Sequence, residues 1–162
     1  MAIWTSRYSN KELSNGNYYA VGISLGKPKF GISYAIRKQC YDLAPDRWMW
    51  GKELEKFKKM YFAKLDKMGV KRVENILYSL HTEAQTNNQD LVLLCFEDVR
   101  NPEDWCHRTM LAEWVKNRMG WEIKELLNPE PPKIKRKPQE QQKQHEDDKS
   151  YQQLSLFDIC NA

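Results

Sequence analysis

Six apolar residues in a row, Leu91-Val92-Leu93-Leu94-Cys95-Phe96, set the tightest constraint on what this chain can fold into. The run does not alternate, so a strand built from it has no face to give to water. Such a strand belongs in the middle of a parallel sheet with helices on either side. In sheets of that kind the ligand crevice lies just past the carboxyl ends of the central strands. Any site is therefore expected directly after the run. Glu97 comes first, then a short polar loop, then Cys106, His107 and Arg108 within the first two turns of a helix.

The rest of the chain supplies the flanking elements. Residues 2–5 read as a short first strand that delivers residues 6–10 toward the crevice, and 11–17 as a turn. Residues 18–24 are rich in β-formers and read as a second strand. The loop 25–31 carries two glycines with Lys27 and Lys29. It suits a phosphate or carboxylate cradle, or equally an ordinary basic surface loop; it has neither Walker nor GxGxxG spacing. Residues 32–47 show no clear pattern. Trp50, Leu54, Phe57, Tyr61, Leu65 and Met68 recur at three- and four-residue steps, which predicts a helix over 48–68 stopped by Gly69. A second helix follows, with Val70, Val73, Leu77, Leu80 and Ala84 on one stripe and His81 beside it. Asn101-Pro102-Glu103-Asp104 reads as the start of a third, with an Asn cap, a first-turn Pro and acids at the positive end of the dipole. Gly120 ends it, and the alternation over 121–126 predicts an edge strand. Strands alternating with helices give a small α/β domain of three layers and a mainly parallel sheet over residues 1–128.

Composition matters mainly for what surrounds that domain. Residues 129–150 hold four prolines, many glutamines and charges, and almost nothing to bury, so a disordered linker is expected. The first 128 residues carry 20 basic and 16 acidic side chains, the remainder six of each. A mild positive excess on the folded part fits a nucleic-acid or nucleotide partner without demanding one. The four cysteines, at 40, 95, 106 and 160, show no disulfide framework, and no signal peptide or membrane-length apolar run is present. A cytoplasmic protein with reduced thiols and no membrane partner is expected.

At the strand end, Cys106 near a helix N-terminus beside His107 and Arg108 has the surroundings that favour a thiolate nucleophile. Successive helix residues point about 100° apart, so the three cannot all face one pocket squarely. His107 lies nearest the centre of the stripe Met110, Leu111, Trp114 and Val115 and is best placed to meet a ligand. Each has a bland alternative: a packed thiol, a buried structural histidine, and an Arg108–Asp104 surface pair. Glu97 suits a general base or nucleophile, or a loop cap. A zinc site from Cys95, Cys106 and His107 is not expected, because no Cys-x-x-Cys pair is present and a fourth ligand is not evident. No cofactor is expected either.

LLCFE, the CHR run and the following A-E-W helix together resemble the signature of an uncharacterised family, domain of unknown function four-eight-eight. IWTSRYSN, ISLGKPKF and YDLAP resemble its first strand, second strand and following loop, so the likeness spans roughly residues 2–127. It implies a compact Rossmann-like domain with polar residues gathered at one sheet edge: Thr5, Tyr8, Ser9, Cys95, Glu97, Cys106, His107 and Arg108. Ser6-Arg7 departs from the small residues usual there, and Arg7 either brings a phosphate-binding charge or narrows the pocket. The likeness implies a fold and a site but no reaction. With it, the expected catalytic set is Glu97, Cys106, His107 and Arg108. The expected substrate-binding set is Thr5, Arg7, Tyr8, Ser9, Ser24 and Lys27.

Near the far end, residues 153–157 spell QLSLF. This resembles the pentapeptide by which bacterial replication and repair proteins dock on the DNA polymerase sliding clamp. Leu156 and Phe157 would fill a hydrophobic pocket, Leu154 would support them, and Gln153 would supply directional hydrogen bonds. By average residue usage a chain this long matches by chance roughly once in a few thousand cases. The expectation is a clamp-tethered enzyme, hydrolase or transferase, acting on DNA, a nucleotide or a base. The alternative is a non-enzymatic clamp binder, competitor or adaptor of the kind a phage encodes.

Overall fold

The computed structural model describes residues 2–133. The QLSLF peptide, residues 151–162 and most of the 129–150 segment lie outside the described residues. Five strands form one sheet: β1 (Ile3–Arg7), β2 (Tyr18–Gly22), β3 (Ile36–Gln39), β4 (Asp90–Cys95) and β5 (Lys124–Glu125). Their order is β3-β2-β4-β1-β5, and every pairing is parallel. Three α-helices accompany them: α1 (Leu54–Met68), α2 (Val70–Thr86) and α3 (His107–Met119). The α/β class and the parallel sheet are as the sequence predicts. Among the described residues no helix is long and apolar enough to cross a membrane.

β4 is the apolar run, and it lies between β2 and β1 with Leu91, Val92, Leu93 and Leu94 fully buried. Its alternate residues serve two cores. Leu91 and Leu93 join Ile3, Tyr19 and Val21 under the apolar stripes of all three helices. Val92 and Leu94 join Ala20, Tyr8, Leu13 and Leu126 on the opposite face. That second face is covered without an α-helix. A short 3₁₀ turn (Lys11–Asn15) inserts Leu13, and the loop before β3 brings Tyr34, whose hydroxyl donates to the Tyr8 carbonyl at 2.6 Å. The expectation of helices on either side is thus met on one side only. Continuous apolarity requires two dry faces, but it does not say what dries them.

The boundaries differ from the predicted ones for local reasons. α1 begins at Leu54, not at 48. Arg47–Met49 is a 3₁₀ turn and Gly51 takes φ +72°, which an α-helix cannot contain. Trp48 and Trp50 are therefore exposed, at 62% and 59%, although Trp50 is in phase with the α1 stripe. α3 begins at His107 with Cys106 as its cap residue, five positions after the predicted start. Asn101 and Pro102 instead form tight turns, with Asn101 N–H donating to the Asp98 carbonyl and Asp104 N–H to the Asn101 carbonyl. β3 occupies the stretch without a pattern, and its exposed Arg37 and Lys38 mark it as a sheet edge. β5 is an edge too, but only two residues long.

The chain leaves β2 toward β3 and leaves β4 toward β5, in opposite directions along the sheet. Loops that diverge in this way leave a crevice at the carboxyl ends of the two strands. Gly22 ends β2 at that point because a Cβ there would collide with the Gln39 side chain and the Tyr8 hydroxyl. The residues after β5 return to the same end. Arg100 in the β4–α3 loop donates to the Asn128 and Glu130 carbonyls, and Lys11 pairs with Glu130 at 2.5 Å.

Because Leu93 packs under the helices with no exposure, Leu93→Ala is expected to cost about 2–5 kcal/mol in chemical denaturation. Trp48→Ala, at a solvent-facing site, is expected to stay within about 0.5 kcal/mol.

Candidate active site

The crevice opens into a cavity of about 330 Å³. Its floor is Cys95 at the end of β4 with Ser24 just past β2. One wall is the β4–α3 connection, Phe96, Glu97 and residues 103–107; the other is Pro45, Trp50, Gly51, Lys52 and Phe57 from the approach to α1 and its first turn. The rings of Trp50, Phe57, Phe96 and Trp105 make it aromatic, and Phe57 packs tilted on Trp105 with centroids 4.8 Å apart. Glu97, Glu103 and Asp104 make its polar rim acidic, with Lys52 the one cation among the lining residues.

The most organised group in the cavity is the floor. His107 is the first residue of α3 and only 5% exposed. Its Nε2 lies 2.8 Å from the Ile23 carbonyl oxygen. A carbonyl can only accept, so Nε2 carries a proton and Nδ1 is the ring atom turned toward the cavity floor. Nδ1 faces two sulfurs, Cys95 Sγ at 3.6 Å and Cys106 Sγ at 3.9 Å. The Tyr61 ring meets the imidazole edge-on, with centroids 5.5 Å apart, and the Tyr61 hydroxyl is tied to the Leu43 carbonyl at 2.6 Å. The imidazole is thus fixed from three sides. The two thiols polarise each other. A hydrogen bond from Cys95, followed by His107 and Arg108, holds the Cys106 thiol well below the ordinary cysteine value. The same bond, then burial, pushes Cys95 up.

The CHR run divides as its helical spacing requires, since neighbours on a helix diverge. Cys106 and His107 line the cavity and Arg108 does not. Arg108 is 1% exposed, and its guanidinium grips the Glu125 carboxylate through Nη2 at 2.9 Å and Nε at 3.2 Å. Its Nη1 donates to the Glu97 carbonyl at 2.8 Å, so the expected pair with Asp104 is replaced by one with β5. Thr5 joins the same carboxylate at 2.8 Å. These contacts fasten β5 and the Glu97 backbone to the site.

The remaining predicted residues are dispersed. Ser24 lines the cavity; its hydroxyl lies 2.8 Å from the Tyr8 hydroxyl and donates to the Gly26 carbonyl at 2.7 Å, so Tyr8 supports the floor from behind. Arg7 is nine-tenths buried and ion-paired to Asp98 at 2.5 Å. Ser9 and Lys27 are exposed and outside the cavity lining. Trp105 and the Ile23 carbonyl are the contributors that the sequence does not single out. Trp105 had a usable signal, an aromatic residue directly before the CHR run; the Ile23 carbonyl had none. No family model, no curated protein and no solved structure matches the chain.

Asp98 receives Arg100 at 2.8 Å as well as Arg7. Its pKa is lowered to about 2, first by the Arg100 hydrogen bond and further by Arg7. A depressed carboxylate stabilises the fold above its ordinary value, and that contribution disappears as pH falls through the folded value. The stability of the chain is therefore expected to decline between pH 3.8 and about pH 2. Asp98→Asn should flatten that step and lose about 2 kcal/mol or more at neutral pH, read by urea titration across pH.

Proposed function

We propose that this chain is a DNA-associated enzyme of the hydrolase or transferase type. Its cavity takes a nucleobase or nucleotide, and residues 153–157 moor it to the bacterial sliding clamp. The observation that carries the catalytic half is the convergence of Glu97, Cys106 and His107 on one aromatic-walled cavity at the carboxyl edge of the central strands. Flat rings on both walls suit a planar heterocycle by stacking. Three carboxylates at the rim disfavour a phosphate inside the cavity and favour the amino edge of a base, which donates hydrogen bonds. A cavity of about 330 Å³ holds a single base or nucleoside, so duplex DNA would have to yield a flipped or unpaired base. In this reading Cys106 Sγ bonds to the reacting carbon as the leaving group departs with a proton from Glu97, and a water deprotonated by Glu97 then displaces the sulfur. The likeness of QLSLF to clamp-docking peptides supports the DNA-associated half of the assignment.

A second reading, a clamp binder without catalysis, draws on one observation: both buried arginines, Arg7 and Arg108, are closed into ion pairs and give no cation to an anionic substrate. Two measurements separate the readings. Purified clamp is expected to capture the wild-type chain saturably and to lose Leu156→Ala/Phe157→Ala. Against a panel of modified bases and nucleotides, Glu97→Gln is expected to lower turnover about 100-fold or more while clamp capture is unchanged. A saturable clamp complex whose cellular effect survives Glu97→Gln and Cys106→Ser would leave only the binder.

A further inference from the structure

We propose that Cys95, Cys106 and His107 form a binding site for a thiophilic divalent cation of the zinc class, with its fourth coordination position open to the cavity. The proposal rests on the geometry of the floor. The three ligand atoms lie within 4.8 Å of one another, and all three residues are buried. Tetrahedral zinc with a sulfur at about 2.3 Å and a nitrogen at about 2.1 Å has sulfur–nitrogen edges of about 3.6 Å. The observed edges are 3.6 Å and 3.9 Å. The third edge, between the two sulfurs, is at most 4.8 Å against about 3.8 Å in such a tetrahedron, so binding draws the sulfurs together by up to about an ångström.

The histidine is prepared for this role. Metal-binding imidazoles almost always donate their other ring N–H to a carbonyl or carboxylate, which fixes the tautomer and turns the free lone pair toward the ion. His107 does so through Nε2 to the Ile23 carbonyl at 2.8 Å, and Nδ1 points at both sulfurs. The ligands also stand on firm supports: Cys95 ends the central strand, while Cys106 and His107 open α3. Two thiolates and a divalent cation cancel in charge, as a buried site requires. Sequence spacing argues against zinc because it looks for a Cys-x-x-Cys pair and a fourth protein ligand; here the sulfurs come from two elements that meet in space, and the fourth position stays open.

Among the described residues the group stops at three ligands. Three protein ligands with an open fourth position is the arrangement of catalytic rather than structural zinc, and all three residues line the same cavity as Glu97. With the cation bound, Cys106 is a ligand rather than a nucleophile, and a water or substrate atom occupies the open position. That role rests on the reading of the cavity as an active site; cation binding itself does not.

The test uses the reduced, untagged full chain, titrated with zinc against a chromophoric chelator and, separately, with cobalt. One equivalent of zinc is expected, together with a thiolate-to-cobalt charge-transfer band in the near ultraviolet. Cys95→Ser, Cys106→Ser and His107→Ala should each weaken binding by more than the roughly 100-fold that loss of an outer-shell partner costs. Cys40→Ser and Cys160→Ser should bind as wild type does. Absence of stoichiometric zinc uptake by the wild-type chain overturns the proposal, and that measurement needs no variant to fold. Uptake that persists in a folded Cys95→Ser chain, or that disappears with Cys160→Ser, overturns it as well. Turnover that depends on Glu97 in a chain that binds no metal would sink the cation and leave the proposed function standing.

Discussion

The burial of β4 on both faces is the constraint from which the remaining structure follows. A strand with Leu91 and Leu93 on one side and Val92 and Leu94 on the other must be paired along both edges and roofed on both faces. That requirement brings β2 and β1 to flank it, draws the helices over one face, and folds Leu13 and Tyr34 over the other. It also determines where the strand can stop. Apolar burial lapses after Cys95, and the next residues, Phe96 and Glu97, already line a cavity. The site lies where it does because the core runs out there.

A second constraint keeps the site in shape. The buried Arg108 guanidinium would be costly without partners, and it finds them in Glu125 and the Glu97 carbonyl. One side chain thereby ties the start of α3, the exit from β4 and the outermost strand together. Cys106 and His107 are held on the cavity side of that tie. The sequence places three chemically conspicuous residues side by side, and the fold uses them for different purposes: two face the cavity and one secures the frame.

These elements also indicate what could be read before the structure and what could not. β4, α2 and most of α1 were readable because their apolar periodicity is the direct imprint of the core. The start of α1 was not, because Trp50 repeats the helical phase while Gly51 breaks the backbone beneath it. Asn101-Pro102 has the chemistry of a helix cap and serves as a turn, since the same residues satisfy free backbone groups in both settings. β3 gave no signal because only Ile36 among its residues is apolar and half of the strand faces water. The apolar run points to the β4 exit, and a cavity lies there with Glu97, Cys106 and His107 in its lining. The assembly of that lining could not be read, because the contacts that orient His107 come from Ile23, Cys95 and Tyr61, far away along the chain.

The path of residues 128–133 carries a consequence for geometry on a larger scale. The segment lies against Arg100 and Asn101 in the β4–α3 connection, and Arg100 in turn holds the Asp98 carboxylate. A displacement of residues 128–130 would reach Asp98 through Arg100, and through Asp98 the Arg7 side chain that closes β1, so the last described residues and the middle of the sheet are mechanically coupled.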